Sequence, residues 1–72
     1  MNINILEIGR NAGIVWHALE NNRLSYEELV KVTNLTPIEL ASAIGWLARE
    51  NKISICSDGG IVYFSIQQVW YF

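Results

Sequence analysis

The stretch TPIELASAIGWLAREN, residues 36–51, decides the fold. Thr36 is a typical residue before a helix, Pro37 suits the first helical position, and Glu39 stands three residues after the threonine, as in a capping box. This pattern predicts a third helix that runs from Pro37 to Asn51. Its buried side consists of apolar residues that recur at steps of three and four: Leu40, Ala43, Ile44 and Leu47.

The segment before it, SYEELVKVTNL, predicts a shorter second helix. Ser25 and Glu28 form another capping box, and Leu29 and Val32 are expected on the buried side. Asn34 tolerates left-handed backbone angles, so a sharp turn is predicted between helices two and three.

The first part of the chain predicts a longer helix over residues 3–21, followed at Leu24-Ser25 by a short link that adds one stub of strand. Apolar residues at three- and four-residue steps define one stripe on this helix. The predicted stripe consists of Ile5, Ile8, Ala12, Val15, Trp16 and Leu19.

Beyond helix three the apolar period changes to two, and ISICS and IVYFSI flank the turn sequence DGG, which predicts a β-hairpin. If Asp58-Gly59 is the two-residue loop, the large apolar side chains share one face. A shift by one residue places Ile55 opposite Tyr63 and divides that apolar set, so this register is predicted. The predicted pairs are Ser57 with Gly60, Ile55 with Val62 and Ile53 with Phe64 on one face, and Ser54 with Tyr63 and Cys56 with Ile61 on the other.

Length and composition predict one packed domain, residues 1–72. The apolar share is 51% and the charged share 17%, which favours a globule over disorder. No apolar run reaches the roughly 18 residues of a membrane span, and the first residues lack the pattern of a signal peptide, so no membrane association and a cytoplasmic location are expected. Cys56, the single cysteine, predicts neither an internal disulfide nor a metal site.

The residues do not predict an enzyme. His17 is the single histidine, and no cysteine or acid is expected at ligand spacing from it. Glu27 and Glu28 are adjacent, so they point in different directions on a helix. The DGG sequence stands between strands and not before a helix, which excludes a phosphate-binding loop. No catalytic residue, cofactor, metal ligand or small-molecule ligand is predicted.

The order of three helices and a glycine-tipped hairpin resembles a winged helix-turn-helix domain. LSYEELVKVTNLTPIELASAIGWLARENKIS, residues 24–54, is similar to the core of that superfamily. The segments IGRNAGIVWHALE and AIGWLARENKI resemble sequences in a family of short bacterial proteins of this type whose function is unknown. The resemblance implies an α+β fold, with a β-hairpin wing after three helices, and a DNA-binding role in transcription regulation.

By that resemblance, helix three lies in the major groove of double-stranded DNA. The expected groove-facing residues are Ile38, Ala41, Ser42 and Gly45, with Arg49 and Lys52 on phosphate. The charges argue against DNA binding, because the net charge is −2 and the five basic residues are scattered. Of the groove-facing residues, only Ser42 can hydrogen-bond a base edge. Asp58 also puts an acid at the wing tip.

The alternative prediction is a protein-interaction module on the same scaffold without DNA binding. Helix three shows small and apolar residues outward, with Trp46 beside them as a possible anchor. Gly9 and Gly13, one turn apart on helix one, suggest close packing by helix three, by the C-terminal strand of the same chain, or by a second copy. A homodimer is predicted, with these interface residues: Leu6, Gly9, Gly13, Trp46, Val69, Trp70, Tyr71 and Phe72.

Overall fold

The structure is a computed structural model that describes residues 4–67. These residues form three α-helices and an antiparallel three-stranded sheet in which β3 lies between β1 and β2. The arrangement confirms the predicted α+β fold with a hairpin after the third helix, and β1 confirms the predicted stub of strand. The elements are α1 (Ile5–Ala18), β1 (Leu24–Ser25), α2 (Tyr26–Thr33), α3 (Pro37–Arg49), β2 (Ile53–Asp58) and β3 (Ile61–Ile66).

Helix α1 is shorter than predicted at both ends. Asn4 is the N-cap, and its side chain accepts a hydrogen bond of 2.9 Å from the Glu7 backbone N–H, so the helix begins at Ile5. At the other end Leu19 is the C-cap, and Asn21 has a φ of 63°, which no α-helix continues through. The 14 residues of α1 do not meet the length of a membrane span, and neither does any other helix within residues 4–67.

Helices α2 and α3 start where their capping boxes predict. In α2, Ser25 accepts a hydrogen bond from the Glu28 backbone N–H, and the Glu28 carboxylate accepts one from Ser25, at 2.9 Å. Asn34 has a φ of 59°, which confirms the predicted left-handed turn. The predicted burial of Val32 is wrong, because its side chain is 61% exposed. The inner side of α2 is formed by Leu29 and the half-buried Val30, and Val32 lies about 200° from Val30 at 100° per residue.

Helix α3 ends at Arg49, two residues before the predicted end. Glu50 is the C-cap, and Asn51 adopts a φ of 57° that turns the chain out of the helix and towards β2. The Lys52 backbone N–H then donates a hydrogen bond of 3.0 Å to the Leu47 carbonyl, which satisfies one of the free carbonyls of the last turn.

The hairpin has a register different from the predicted one, because the loop is Gly59-Gly60 and not Asp58-Gly59. Asp58 pairs with Ile61, so each predicted partner moves by two residues. Both loop glycines have positive φ, 60° and 82°, and glycine adopts these angles without the steric cost that Asp58 would meet. A two-residue shift keeps every side chain on its predicted face. The observed pairs include Ile53 with Ile66, Ile55 with Phe64, Cys56 with Tyr63 and Ser57 with Val62.

The core lies where α1 crosses α3 above the base of the sheet. Leu24 of β1 pairs with Phe64 of β3, which ties the hairpin to the start of α2. Ile5, the first residue of the predicted apolar stripe of α1, is 69% exposed and lies outside the core. Strand β2 pairs with β3 on one side, and its other edge has no strand partner among residues 4–67. The buried apolar residues are Ala12, Val15, Leu19, Leu29, Leu40, Ala43, Ile44, Leu47, Ile53 and Phe64.

Candidate nucleic-acid interface

One face of α3 carries the residues that the sequence assigned to the DNA groove. They fall within an arc of about 100° opposite the buried Leu40 and Leu47, at 100° per residue. Ile38 is 54% exposed, and Ser42 is half-buried. We call this set the α3 outer row, and it consists of Ile38, Ala41, Ser42, Gly45 and Arg49.

The α3 outer row is mostly smooth and apolar. A Cβ placed on Gly45 would meet no heavy atom of the surrounding described chain within 4 Å, so the glycine lies against open space. The row contains one hydroxyl, on Ser42, and one positive charge, on Arg49 at the last helical position. A partner that docks here therefore meets methyl groups and bare backbone before it meets polar groups.

The acid at the front of α3 is bound by the helix itself. The Thr36 backbone N–H donates to Glu39 Oε1 at 2.9 Å, and the Glu39 N–H donates to Thr36 Oγ1 at 3.3 Å. The hydrogen bond from the Thr36 backbone, followed by that from its side chain, holds the pKa of Glu39 below its usual value. Glu28 is bound in the same way at the start of α2. In both α2 and α3, a carboxylate of the helix itself therefore occupies the N-terminal end, where a phosphate would otherwise bind.

The two basic residues assigned to phosphate lie at the far end of α3. Arg49 and Lys52 are both exposed, and neither forms an ion pair within residues 4–67. Lys52 lies outside the α3 outer row, because it follows the helix and lines a groove together with Trp46. The structure therefore places one of the two charges on the row and the other beside it.

The wing carries an ion pair that the sequence analysis missed. Arg23, just before β1, has its Nη1 atom 3.5 Å from Asp58 Oδ2, and its guanidinium lies 4.1 Å from the centre of the Tyr63 ring. Hairpin register brings these residues together, so no spacing along the chain could have shown it. The pair offsets the acid at the wing tip, and it leaves Arg23 less available for phosphate.

Several of the residues assigned to a protein interface line one groove between α1 and α3. This α1/α3 groove has a volume of about 450 Å³, within the roughly 300–1,000 Å³ range of clefts that bury a small ligand. A Cβ on Gly9 or Gly13 would meet no other part of the described chain within 4 Å, so helix three, one of the neighbours considered for these glycines, does not pack closely on them. The lining residues are Gly9, Ala12, Gly13, Trp16, Trp46, Leu47 and Lys52.

The remaining predicted interface residues fall outside this groove lining. Leu6 is 78% exposed near the start of α1. Val69, Trp70, Tyr71 and Phe72 lie outside the described residues.

The single histidine has an acidic neighbour that the sequence analysis overlooked. His17 Nδ1 lies 2.6 Å from Glu20 Oε1, three residues along the chain and on an exposed surface. Within residues 4–67 no group of three or more histidine, cysteine or acidic side chains is arranged to hold a metal ion. Cys56 is a free, exposed thiol on β2.

Two helices joined by a tight turn, followed by a hairpin that pairs back to β1, define a winged helix-turn-helix domain. The sequence comparison leads to the same class of domain. The chain belongs to the family described as winged helix-turn-helix domain (DUF2582), whose model matches residues 1–66.

Similar proteins come from archaea as well as bacteria. Uncharacterized protein MJ1608 of the archaeon Methanocaldococcus jannaschii is 36% identical over 55 residues, which cover 72% of this chain and 79% of that protein. The solution NMR structure of BT2368 from Bacteroides thetaiotaomicron is 39% identical with a TM-score of 0.81, and the match covers 90% of this chain and 80% of BT2368. Membership in this family therefore does not fix a bacterial source.

A more distant structure supports the fold alone. Reduced HlyU from Vibrio cholerae has a TM-score of 0.74 at 20% identity, and the match covers 89% of this chain and 70% of HlyU. The winged helix-turn-helix fold is a scaffold shared with DNA-binding regulators, and fold by itself does not determine function.

Proposed function

We propose that this chain is a DNA-binding regulatory module of the cytoplasm that places α3 in the major groove of double-stranded DNA. The observation that carries the proposal is the α3 outer row: four of its five residues are exposed, on the helix that this fold presents to DNA.

The side chains of the row favour recognition of methyl groups. Alanine and other apolar side chains contact the C5-methyl group of thymine in the major groove, and Ile38 and Ala41 can do the same. Gly45 has no side chain, so the helix backbone can come close to the groove floor. Ser42 supplies one hydrogen bond to a base edge. The module should therefore prefer sites with thymines at defined positions and discriminate weakly among other bases.

The phosphate contacts are few. Each neutralised phosphate gives a slope of about −0.9 in log affinity against log salt concentration, so Arg49 and Lys52 together give about −1.8 per chain. Such a slope supports weak binding by a single chain. We infer that two copies act together, joined through the exposed start of α1 at Ile5 and Leu6, because pairing doubles the phosphate contacts.

The test is duplex binding at low salt followed by a salt titration. A fluorescent duplex pool should yield a bound fraction whose affinity falls as salt rises, and Arg49→Gln should reduce the slope by about 0.9 per chain. Arg10→Gln removes an exposed arginine of α1 that is assigned no DNA contact, so it should leave the slope unchanged. Thymine-to-uracil replacement in a selected site should weaken binding, because uracil lacks the methyl group. A slope insensitive to Arg49 would contradict the proposal.

A second candidate function, a protein-interaction module, is favoured by a separate observation. Val32 of α2 and Ile38 of α3, on either side of the turn, are both more than half exposed, and the carboxylates of Glu28 and Glu39 already occupy both helix starts. Exposed aliphatic side chains suit a protein surface better than a phosphate backbone. The absence of duplex binding at low salt by the folded protein would select this function over DNA binding.

Dimer formation has its own measurement. Sedimentation equilibrium of the whole chain should give a dimer, and Leu6→Glu should convert it to a monomer without unfolding it, because Leu6 is 78% exposed. A monomer at high concentration for the unaltered chain would contradict the dimer.

A further inference from the structure

The α1/α3 groove is an apolar cleft that the described chain leaves unfilled. Two glycines and two tryptophans contribute to its lining, and a Cβ added to either glycine would still meet no other part of the described chain within 4 Å. Glycine destabilises a helix relative to alanine, so two of them one turn apart on α1 need a compensating contact. Bare helix backbone of this kind allows another backbone or an aromatic ring to approach closely.

The chain leaves β3 at the border of this groove. The backbone N–H of Gln67 donates a hydrogen bond of 3.0 Å to the carbonyl of Lys52, and Lys52 is one of the residues that line the groove. Five further residues extend at most about 18 Å, since an extended chain spans roughly 3.3–3.6 Å per residue. Gly9 and Trp16 are separated by only about 10 Å along the axis of α1, at 1.5 Å per residue. Residues 68–72 therefore have the reach to cover the groove.

The chemistry of those residues fits the cleft. After Gln68 they are Val69, Trp70, Tyr71 and Phe72, with no charged side chain. Aromatic rings bury large apolar areas, and the Lys52 ammonium group is a cation that an aromatic face attracts. We propose that the α1/α3 groove is the docking site of this chain's own residues 69–72. Covalent attachment favours this occupant over a second copy, because a short tether gives an effective concentration of the order of millimolar.

Disulfide trapping tests the proposal directly. In a Cys56→Ser background, Gly13→Cys puts a thiol in the groove, and Trp70→Cys or Tyr71→Cys puts one in the docking segment. Successive side chains of an extended segment point to opposite sides, so the two variants sample both sides. Mild oxidation should close one of these pairs within a single chain. Ala41→Cys, on the α3 outer row, is the matched control and should not close with either.

Each result of the trapping experiment decides the matter. An intrachain disulfide, seen as a faster-moving monomer on a non-reducing gel, supports docking in the same chain. A disulfide-linked dimer overturns the proposal and assigns the groove to the segment of a second copy. Failure of both pairs to close, in protein whose circular dichroism matches the unaltered chain, also overturns it.

A pair of glycine substitutions provides a second test that requires no new thiols. Gly45→Ala should raise the folding equilibrium constant by about fivefold, because alanine is the better helix former and nothing lies over Gly45. Gly13→Ala should gain clearly less in the whole chain, because its methyl group meets the docked segment. With Trp70→Ser, Tyr71→Ser and Phe72→Ser combined, the two gains should become equal. Equal gains in the unaltered segment would overturn the proposal.

Discussion

Two neighbouring residues of α3 allow a sharp test of how this helix is oriented. Leu40 is 0% exposed, and Ile38 is 54% exposed, although both are large aliphatic residues near the start of the same helix. Leu40→Ala and Ile38→Ala therefore remove similar amounts of hydrocarbon from opposite sides of α3. Leu40→Ala should mainly lower the stability of the fold, whereas Ile38→Ala should mainly weaken duplex binding.

The expected magnitudes follow from burial. Removal of a fully buried leucine side chain costs about 2–5 kcal/mol, because transfer free energy is lost and a cavity remains. A chain of 72 residues has a total stability of roughly 4–11 kcal/mol, at about 0.05–0.15 kcal/mol per residue. Leu40→Ala should thus remove a large share of it. Ile38 already exposes more than half of its surface, so Ile38→Ala should cost at most about 1 kcal/mol.

Urea unfolding followed by circular dichroism measures both free energies of unfolding. With a slope of about 1 kcal/mol per molar urea for a small domain, Leu40→Ala should lower the midpoint by about 2 M or more, and Ile38→Ala by about 1 M or less. The folded Ile38→Ala protein should nevertheless lose duplex binding. Equal losses of stability, or a larger loss for Ile38→Ala, would refute the assigned inner and outer faces of α3.

Three further predictions concern pH, the hairpin loop and the wing. The lowered pKa of Glu39 means that its contribution is present above the ordinary value of 4.5 and is lost as pH falls through the lower folded value. The stability difference between the unaltered chain and Glu39→Gln, measured by thermal melts from about pH 7 to about pH 3, should therefore shrink on acidification, and a constant difference would contradict the capping role. Gly60→Ala should lower the free energy of unfolding by about 1–2 kcal/mol, because Gly60 has a φ of 82°. Gly45→Ala should instead raise it by up to about 1 kcal/mol. Effects of the same sign in urea unfolding would contradict the loop assignment. Arg23→Gln should lower stability by about 0.5–1 kcal/mol through loss of the contacts with Tyr63 and Asp58, and part of this loss should disappear in high salt; an unchanged melting temperature would show that these surface contacts contribute nothing.

The starts of α2 and α3 were predictable because capping is local. Ser25 with Glu28, and Thr36 with Glu39, satisfy backbone groups within four residues, so no distant part of the chain can override them. Asn34 at the tight turn was predictable for the same reason: its left-handed angles are a property of one residue. The predicted winged helix-turn-helix fold followed from these local signals and from the change of apolar period after α3.

The features that the sequence did not predict correctly depend on contacts between different elements of the chain. Periodicity shows that Ile5 and Val32 are apolar, but whether they are buried depends on whether another element reaches them, and none of the described elements covers either. The predicted hairpin register was wrong because Asp-Gly and Gly-Gly are both good two-residue loops. The alternation of apolar and polar residues cannot distinguish registers that differ by two residues. The same limit hid the contact between Arg23 and Asp58.

The position of the candidate residues on one face of α3 was predictable from the sequence, and their surroundings were not. The five residues of the α3 outer row share one face, as the helical period requires. Their single charge, on Arg49, is visible in the sequence, and so is the capping box in which Thr36 binds Glu39. Gly9 and Gly13 were recognised as unusual, but only the structure shows that they face an open groove.

The outer edge of β2, which has no strand partner in the part of the chain that the structure describes, has a practical consequence. From Ile53 to Ser57 this edge strand contains no charge and no proline, the two devices that commonly prevent edge strands from recruiting further strands. The backbone donors and acceptors of this edge, which no strand within residues 4–67 pairs, are a template for β-augmentation, in which an extended peptide or the same strand of another molecule continues the sheet. Concentrated preparations therefore carry a route to aggregation independent of the helices, and a lysine at the exposed Ser54 would block it while leaving the wing intact.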